Sequence, residues 1–273
     1  YQPHGFHFWK GAPLKNRMLY YPVEKFLARW TNSLITINKE DFEVAKKFSY
    51  RKPGGACYVP GVGIDIGKIK LQKQNANRSA KRSDLGIPDD AFVMISVGEL
   101  NSNKNHAYAI DAFLKAAIPN SYYIICGEGK AKEHLENIIA ENKAADRIKL
   151  LGYRSDVVEI LNIANLYIFP SKREGLSVAL MEAMAMELPC AASKIRGNVD
   201  LLPDSKLIFS TQNEEELVDA MKAATDPDIV RDEVAKNSRN LNNFTMEKSV
   251  DAMEKIYLKA MGTVDSAKKE IRE

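Results

Sequence analysis

Two glutamates eight positions apart, Glu174 and Glu182, bracket the start of an apolar helical pattern, with Gly175 directly after the first. At about 1.5 Å of rise per helical residue they stand roughly 12 Å apart, beyond the ~5–9.5 Å that separates the two carboxyls of a hydrolytic pair. Such a spacing suits a ligand lying along the helix start, with one carboxylate accepting from hydroxyls at each end. A nucleotide-sugar has hydroxyls on both sugars and a diphosphate between them, which the backbone N–H groups near Leu176 and Ser177 would meet. Lys104 adds a point charge suited to phosphate, and Gly98, Gly127, Gly152 and Gly175 allow backbone to approach a ligand closely. Each of these loops taken alone also fits a simple turn.

Other chemistries lose their support. Gly127-Glu128-Gly129-Lys130-Ala131-Lys132 lacks the third glycine of the dinucleotide fingerprint, and the GxxxxGK[ST] phosphate loop is missing. Cys57, Cys126 and Cys190 are odd in number and widely spaced, which fits buried thiols in a reducing compartment rather than a disulfide framework. The four histidines show no ligand spacing, so no metal site is expected.

The elements that would position these residues follow a regular alternation from residue 91 onward. Apolar runs at 91–97, 122–126, 147–152, 165–171, 188–193 and 206–209 have strand length, and helical patterns separate them at 105–117, 131–143, 156–164 and 176–186. Further helices are expected near 213–224, 228–239 and 246–261. Such alternation predicts an α/β fold with a parallel sheet covered on both faces, and sheets of that kind bind ligands beyond the carboxyl ends of their strands. The candidate loops follow the first four strands. Upstream, helical spacing is expected over 22–30 with Pro22 in the first turn, a strand at 33–38, a helix at 39–48 and a strand-like run from Cys57. The polar stretch 70–83 reads by composition as a surface segment.

With 273 residues, 45% hydrophobic and 27% charged, the chain is a folded globular protein. No apolar run reaches the ~18 residues of a spanning helix, and no signal-peptide layout opens the chain. The net charge of +3 is uneven: residues 1–54 hold ten Lys and Arg against four acids. This basic front, interleaved with Phe6, Phe8, Trp9, Tyr20 and Tyr21, suits anionic lipid, a phosphorylated acceptor or nucleic acid, and equally a solvated helix face beside core aromatics.

The string from Phe169 to Ala185 resembles the E-x7-E signature of retaining GT-B glycosyltransferases of family 4. Val97-Gly98-Glu99-Leu100 with Lys104 resembles that family's G-R-L-x-x-x-K loop, Gly127-Glu128-Gly129 its second glycine turn, and Leu151 to Asp156 its loop beside the base. The front, His4 to Gly11, is similar to bacterial capsule and exopolysaccharide members. The resemblance implies a GT-B fold, a Rossmann-like donor domain plus a partial second domain, and roles by position. Lys104 would neutralise the departing diphosphate, Glu174 would bind hydroxyls of the transferred sugar, and Glu182 would bind the ribose. Gly152 and Arg154 would border the base, and His4 would lie near the anomeric centre. The co-substrate would be a nucleotide-sugar, with UDP expected and no metal required. The acceptor would be a saccharide or lipid-linked saccharide of a growing surface polysaccharide. Location would be cytoplasmic, with peripheral contact at the inner face of the membrane.

Glu99 stands where most members carry arginine, which halves the expected cationic clamp. The implied organisation is 1–58 as the end of the acceptor domain, 59–246 as the donor domain and 247–273 as a crossover helix, with most of the acceptor domain missing. Two alternatives stay open: a nucleotide-sugar epimerase of similar fold, and a non-catalytic nucleotide-sugar-binding or membrane-docking module. Nucleic-acid binding is the least favoured reading, because the basic excess lacks a recognisable reading motif, and no nucleic-acid partner is expected.

Overall fold

The computed structural model describes residues 1–51 and 54–262. Two compact units divide the chain: Tyr1–Ile64 with the described residues from Asn243 on, and Asp65–Asn242. The division falls a few residues from the expected 58/59 and 246/247. Residues 59–64 and 243–246 join the first unit because Ile64 bridges Thr245 in parallel, donating to Phe244 O at 2.9 Å and accepting from Met246 N at 3.1 Å. The last eleven residues of the expected crossover segment lie outside the described residues.

In the first unit, β1 (Ser33–Thr36) pairs in parallel with β2 (Gly55–Tyr58). The helix expected over 22–30 begins earlier, spans Leu14–Leu27 and carries Pro22 inside it rather than in its first turn. Its 3-10 continuation is Ala28–Trp30. Pro13, with extended backbone, opens the helix, so the N-terminal proline signal belonged one proline upstream. Asn38 caps the helix Lys39–Ala45 by accepting from Asp41 N at 2.8 Å. A small aromatic core of Phe6, Phe8, Ala28, Leu34, Ala45 and Phe48 holds these elements together. The helix Met246–Ala260 belongs to the same unit, with Ser249 Oγ donating to Pro60 O at 3.3 Å.

The second unit contains a six-stranded, wholly parallel sheet. Its strands are β3 (Phe92–Val97), β4 (Ser121–Cys126), β5 (Ile148–Leu150), β6 (Leu166–Phe169), β7 (Cys190–Ser193) and β8 (Ile208–Phe209), in spatial order β5-β4-β3-β6-β7-β8. Helices cover both faces, which is why strands such as Leu166–Phe169 are apolar at every position and wholly buried. On one face the helices His106–Ala116, Lys132–Glu141 and Glu214–Ala223 pack over Met94, Tyr123, Ile125, Ile168 and Phe209. The other helices of the unit include Val178–Ala185 and Pro227–Leu241, which pack on each other.

The stretch 70–83 corrects its composition. It forms two helices, Ile66–Asn75 and Arg78–Asp84, each started by a side-chain cap: Asp65 accepts from Lys68 N at 2.8 Å and Asn77 from Ala80 N at 3.0 Å. Arg82, polar in sequence, is buried. Its guanidinium donates to the carbonyls of Pro88, Asp89, Ala91 and Ile163 and to Asn165 Oδ1, all at 2.7–3.1 Å. Those acceptors lie just before β3 and β6, so a charged side chain ties together the entrances of the two central strands.

Candidate active site

The order of the strands decides where a ligand would lie. The chain runs outward from β3 through β4 to β5, then returns to the other side of β3 with β6, so the direction of winding reverses between β3 and β6. That switch point leaves a crevice at the carboxyl ends of the two strands, the place where open parallel sheets bind nucleotides. Lys104 lies in the loop after β3 and Glu174 in the loop after β6. Lys104 Nζ donates to Glu174 Oε1 at 2.7 Å, with both side chains about four-fifths buried, so the two residues meet across the crevice. Lys104 Nζ also lies 4.8 Å from the centroid of the Phe169 ring, a cation–π contact at the end of β6.

Local hydrogen bonds hold both loops. Asn101 Oδ1 accepts from the backbone N–H of Asn103 at 3.0 Å and of Lys104 at 2.9 Å, turning the chain so that the lysine leaves it at a fixed point. Asn103 then stitches one loop to the other, accepting from Lys172 N at 2.8 Å and donating from Nδ2 to Arg173 O at 3.0 Å. Glu99 is exposed and forms no ion pair among the described residues.

The glycine loops interlock. Gly98 N donates to Cys126 O at 2.9 Å and Gly127 N to Gly152 O at 2.8 Å, so the ends of β3, β4 and β5 form one continuous ledge. Gly127 is obligatory there: with φ of 150°, a Cβ would lie 1.9 Å from Gly98 O. Arg154, expected near the base, is held by its neighbour. Its Nε and Nη2 donate to the two oxygens of Asp156 at 2.7 and 2.6 Å, and Lys81 donates to the same carboxylate at 2.8 Å. Arg154 first, and Lys81 after it, hold Asp156 well below the usual carboxylate range against burial that pushes it up.

Glu182 sits within the helix Val178–Ala185, whose first turn is capped by the buried Ser177 accepting from Leu180 N at 3.3 Å. Residues 174–177 are not helical, so the rise of about 1.5 Å per residue applies only from Val178 to Glu182, roughly 6 Å, and the 12 Å axial estimate between the two glutamates does not carry over. Leu176 and Gly175 lie in that non-helical lead-in, where their N–H groups face no helix partner. Burial raises the pKa of Glu182, and its carboxylate makes no hydrogen bond among the described residues. A half-buried carboxylate without a protein donor is a ready acceptor for ligand hydroxyls. His4 is exposed in the first unit.

The loop after β7 was missed by reasoning from the sequence. Ser193 Oγ donates to Ser171 O at 2.5 Å, Arg196 Nε donates to Glu174 O at 3.2 Å, and Asn198 Nδ2 donates back to Ser193 O at 3.0 Å. Gly197, with φ of 79°, lies so close that a Cβ would be 2.2 Å from Gly175 O. The chain after β7 therefore buttresses the Glu174 loop from behind. The rule that directed attention to the first four strands, applied once more to LPCAAS and the residues after it, would have found it. His106, directly after the Lys104 loop, was also passed over. It is buried beside Lys104 with neither ring nitrogen in a well-formed hydrogen bond. Burial, then the Lys104 charge, lower its pKa from 6.5 to about 4, opposed only weakly by a backbone contact at Gly98.

The sheet order and the phosphate-suited loops at its switch point define a Rossmann-like nucleotide-binding unit of the GT-B type. The chain belongs to the glycosyl transferases of group 1, whose family model matches residues 77–241. It is 33% identical over 264 residues to a Bacillus subtilis (strain 168) protein named as a glycosyltransferase, EpsD, covering 94% of this chain and 68% of that protein. It is 30% identical over 264 residues to the Escherichia coli UDP-Gal:alpha-D-GlcNAc-diphosphoundecaprenol alpha-1,3-galactosyltransferase, covering 93% and 67%. Among solved structures, Anabaena HepE in complex with UDP and glucose superposes with a TM-score of 0.75 at 18% identity, over 96% of this chain and 70% of that one.

Proposed function

We propose that the chain transfers a glycosyl group, with retention, from a UDP-linked sugar to a saccharide or lipid-linked saccharide acceptor in surface-polysaccharide synthesis. The observation that carries this reading is the Lys104–Glu174 pair at the β3/β6 switch point. One side chain is suited to the diphosphate and the other to the sugar it leaves, and they start from a common position.

In this reading the diphosphate lies over the ledge of Gly98 and Gly127 and draws Lys104 from Glu174. The freed Glu174 carboxylate accepts from hydroxyls of the transferred sugar. N–H groups of Gly175, Leu176 and Ser177 face the phosphates at the helix start. Glu182 accepts from the ribose, and Gly152 and Arg154 border the base. Stabilising the departing diphosphate is the main electrostatic task, and Lys104 with the helix start supplies positive charge for it without a metal. A chelator should therefore leave transfer intact. Two names support the donor and acceptor classes: the Escherichia coli relative is named for UDP-Gal and a diphosphoundecaprenol-linked sugar, and HepE is described with UDP and glucose. A lipid-linked acceptor would bring the reaction to a membrane surface, and the proposed location is cytoplasmic with peripheral contact at the inner face.

Titration calorimetry with UDP and UDP-sugars, beside a transfer assay, tests the reading. The expected result is nucleotide binding that Lys104→Ala weakens about 10- to 100-fold, the loss of one charge-assisted contact. Glu174→Gln should tighten UDP about 10-fold, because the diphosphate no longer competes with the carboxylate for Lys104, while lowering transfer. Absence of UDP binding, or full affinity in Lys104→Ala, would sink the proposal.

A further inference from the structure

The segment 171–176 carries Glu174, yet among the described residues no backbone hydrogen bond joins two of its members. Its course is set by the chain on either side. Asn103 Nδ2, in the loop after β3, donates to Arg173 O at 3.0 Å. Arg196 Nε, in the loop after β7, donates to Glu174 O at 3.2 Å, and the arginine is only 6% exposed. Two consecutive carbonyls are thus gripped by donors from the loops of different strands, and Gly197 closes on the next one, Gly175 O.

The two gripped carbonyls belong to the peptide units on either side of the Glu174 Cα. A peptide unit is planar, so pinning its oxygen restricts the whole plane. Restricting both planes that flank a Cα restricts φ and ψ there, and with them the direction in which the side chain leaves. Each contact goes to a carbonyl and occupies neither carboxylate oxygen. Lys104 differs in this respect: it holds the Glu174 carboxylate itself, and that hold ends when a diphosphate draws the lysine away.

We infer that Arg196 and Asn103 are positioning residues, which keep the Glu174 carboxylate aimed at the transferred sugar after Lys104 has left it. The inference rests on the transfer reading above and adds the groups that make its central step work. A buried guanidinium suits the part, because a charge-assisted hydrogen bond holds a carbonyl more firmly than a neutral donor does. Preorganisation of this kind is felt in the geometry of the bound sugar more than in the grip on the nucleotide.

Calorimetry with UDP, UDP-galactose and UDP-glucose tests it, the readout being the affinity of each sugar nucleotide relative to UDP. Arg196→Met and Asn103→Ala should each lower that ratio about 5- to 10-fold, while UDP alone changes by no more than about three-fold. In a Glu174→Gln background the same substitutions should change the ratio less than about two-fold, because the carboxylate they aim is gone. A loss of general structural origin would persist in that background. Asn103→Ala removes a bond at the surface, so it carries the test even where Arg196→Met fails to fold. If Glu174→Gln lowers the ratio and neither variant does, the positioning is overturned and the transfer reading stands. Equal losses in the two backgrounds overturn it as well. If Glu174→Gln itself leaves the ratio unchanged, the transfer reading fails and the positioning falls with it.

Discussion

Lys104 and Glu174 set a condition that any ligand must meet. Because the lysine already holds a carboxylate at 2.7 Å, an inorganic anion entering the crevice gains only the difference between itself and that carboxylate. A ligand bringing a diphosphate for the lysine and hydroxyls for the released glutamate satisfies both groups. Glu174→Gln should thus tighten inorganic pyrophosphate about 10-fold while weakening a UDP-sugar relative to UDP, as read by competition binding; an unchanged pyrophosphate affinity would count against it. His106, beside the same lysine, gives a second expectation. Its folded pKa of about 4 lies below the ordinary 6.5. The unfolded chain therefore takes up the proton first as pH falls, and stability is complete above pH 6.5 and lost between there and pH 4. Linkage puts the loss at about 2 kcal/mol by pH 5. Urea denaturation at pH 7.5 and 5 should show that loss in the original chain and a smaller one in His106→Gln.

At the scale of elements, Arg82 is the side chain on which the central strands most depend. Arg82→Met should destabilise the chain by about 3 kcal/mol or more, because it removes the guanidinium donor from the carbonyls of Asp89, Ala91 and Ile163 and leaves Pro88 O and Asn165 Oδ1 with one backbone donor each. Denaturant midpoints would measure it, and a loss under 1 kcal/mol would mean that water replaces the guanidinium. This arginine also marks the limit of what the sequence discloses. The strands from Phe92 to Ser193 are legible because strands buried on both faces have to be apolar throughout, and their loops are legible because strand ends in such sheets face ligand. The helices at Ile66–Asn75 and Arg78–Asp84 are not, since their stability comes from Asp65 and Asn77 caps and from a buried charge, none of which composition separates from a solvated segment. The meeting of Lys104 with Glu174 is invisible in the chain for a different reason. Seventy positions separate them, and only the placement of β6 beside β3 makes them neighbours. Pro22 misled because a proline is tolerated inside a helix whose start it also suits.

For the whole molecule, the two units have separate cores, one small and aromatic, the other built around the six-stranded sheet. Differential scanning calorimetry should accordingly resolve two transitions, and UDP should raise only the one belonging to Asp65–Asn242, because a ligand stabilises only what it binds. A single transition displaced as a whole would show the two cores to be coupled. The chain leaves the first unit at Ile64 and re-enters it at Asn243, and at that junction Ile64 is hydrogen-bonded on both sides to Phe244 and Met246. Departing and returning backbone thus run side by side. The larger unit is an uninterrupted insert with adjacent ends, a cassette that recombination can lift out or exchange in one piece while the seam that receives it stays closed.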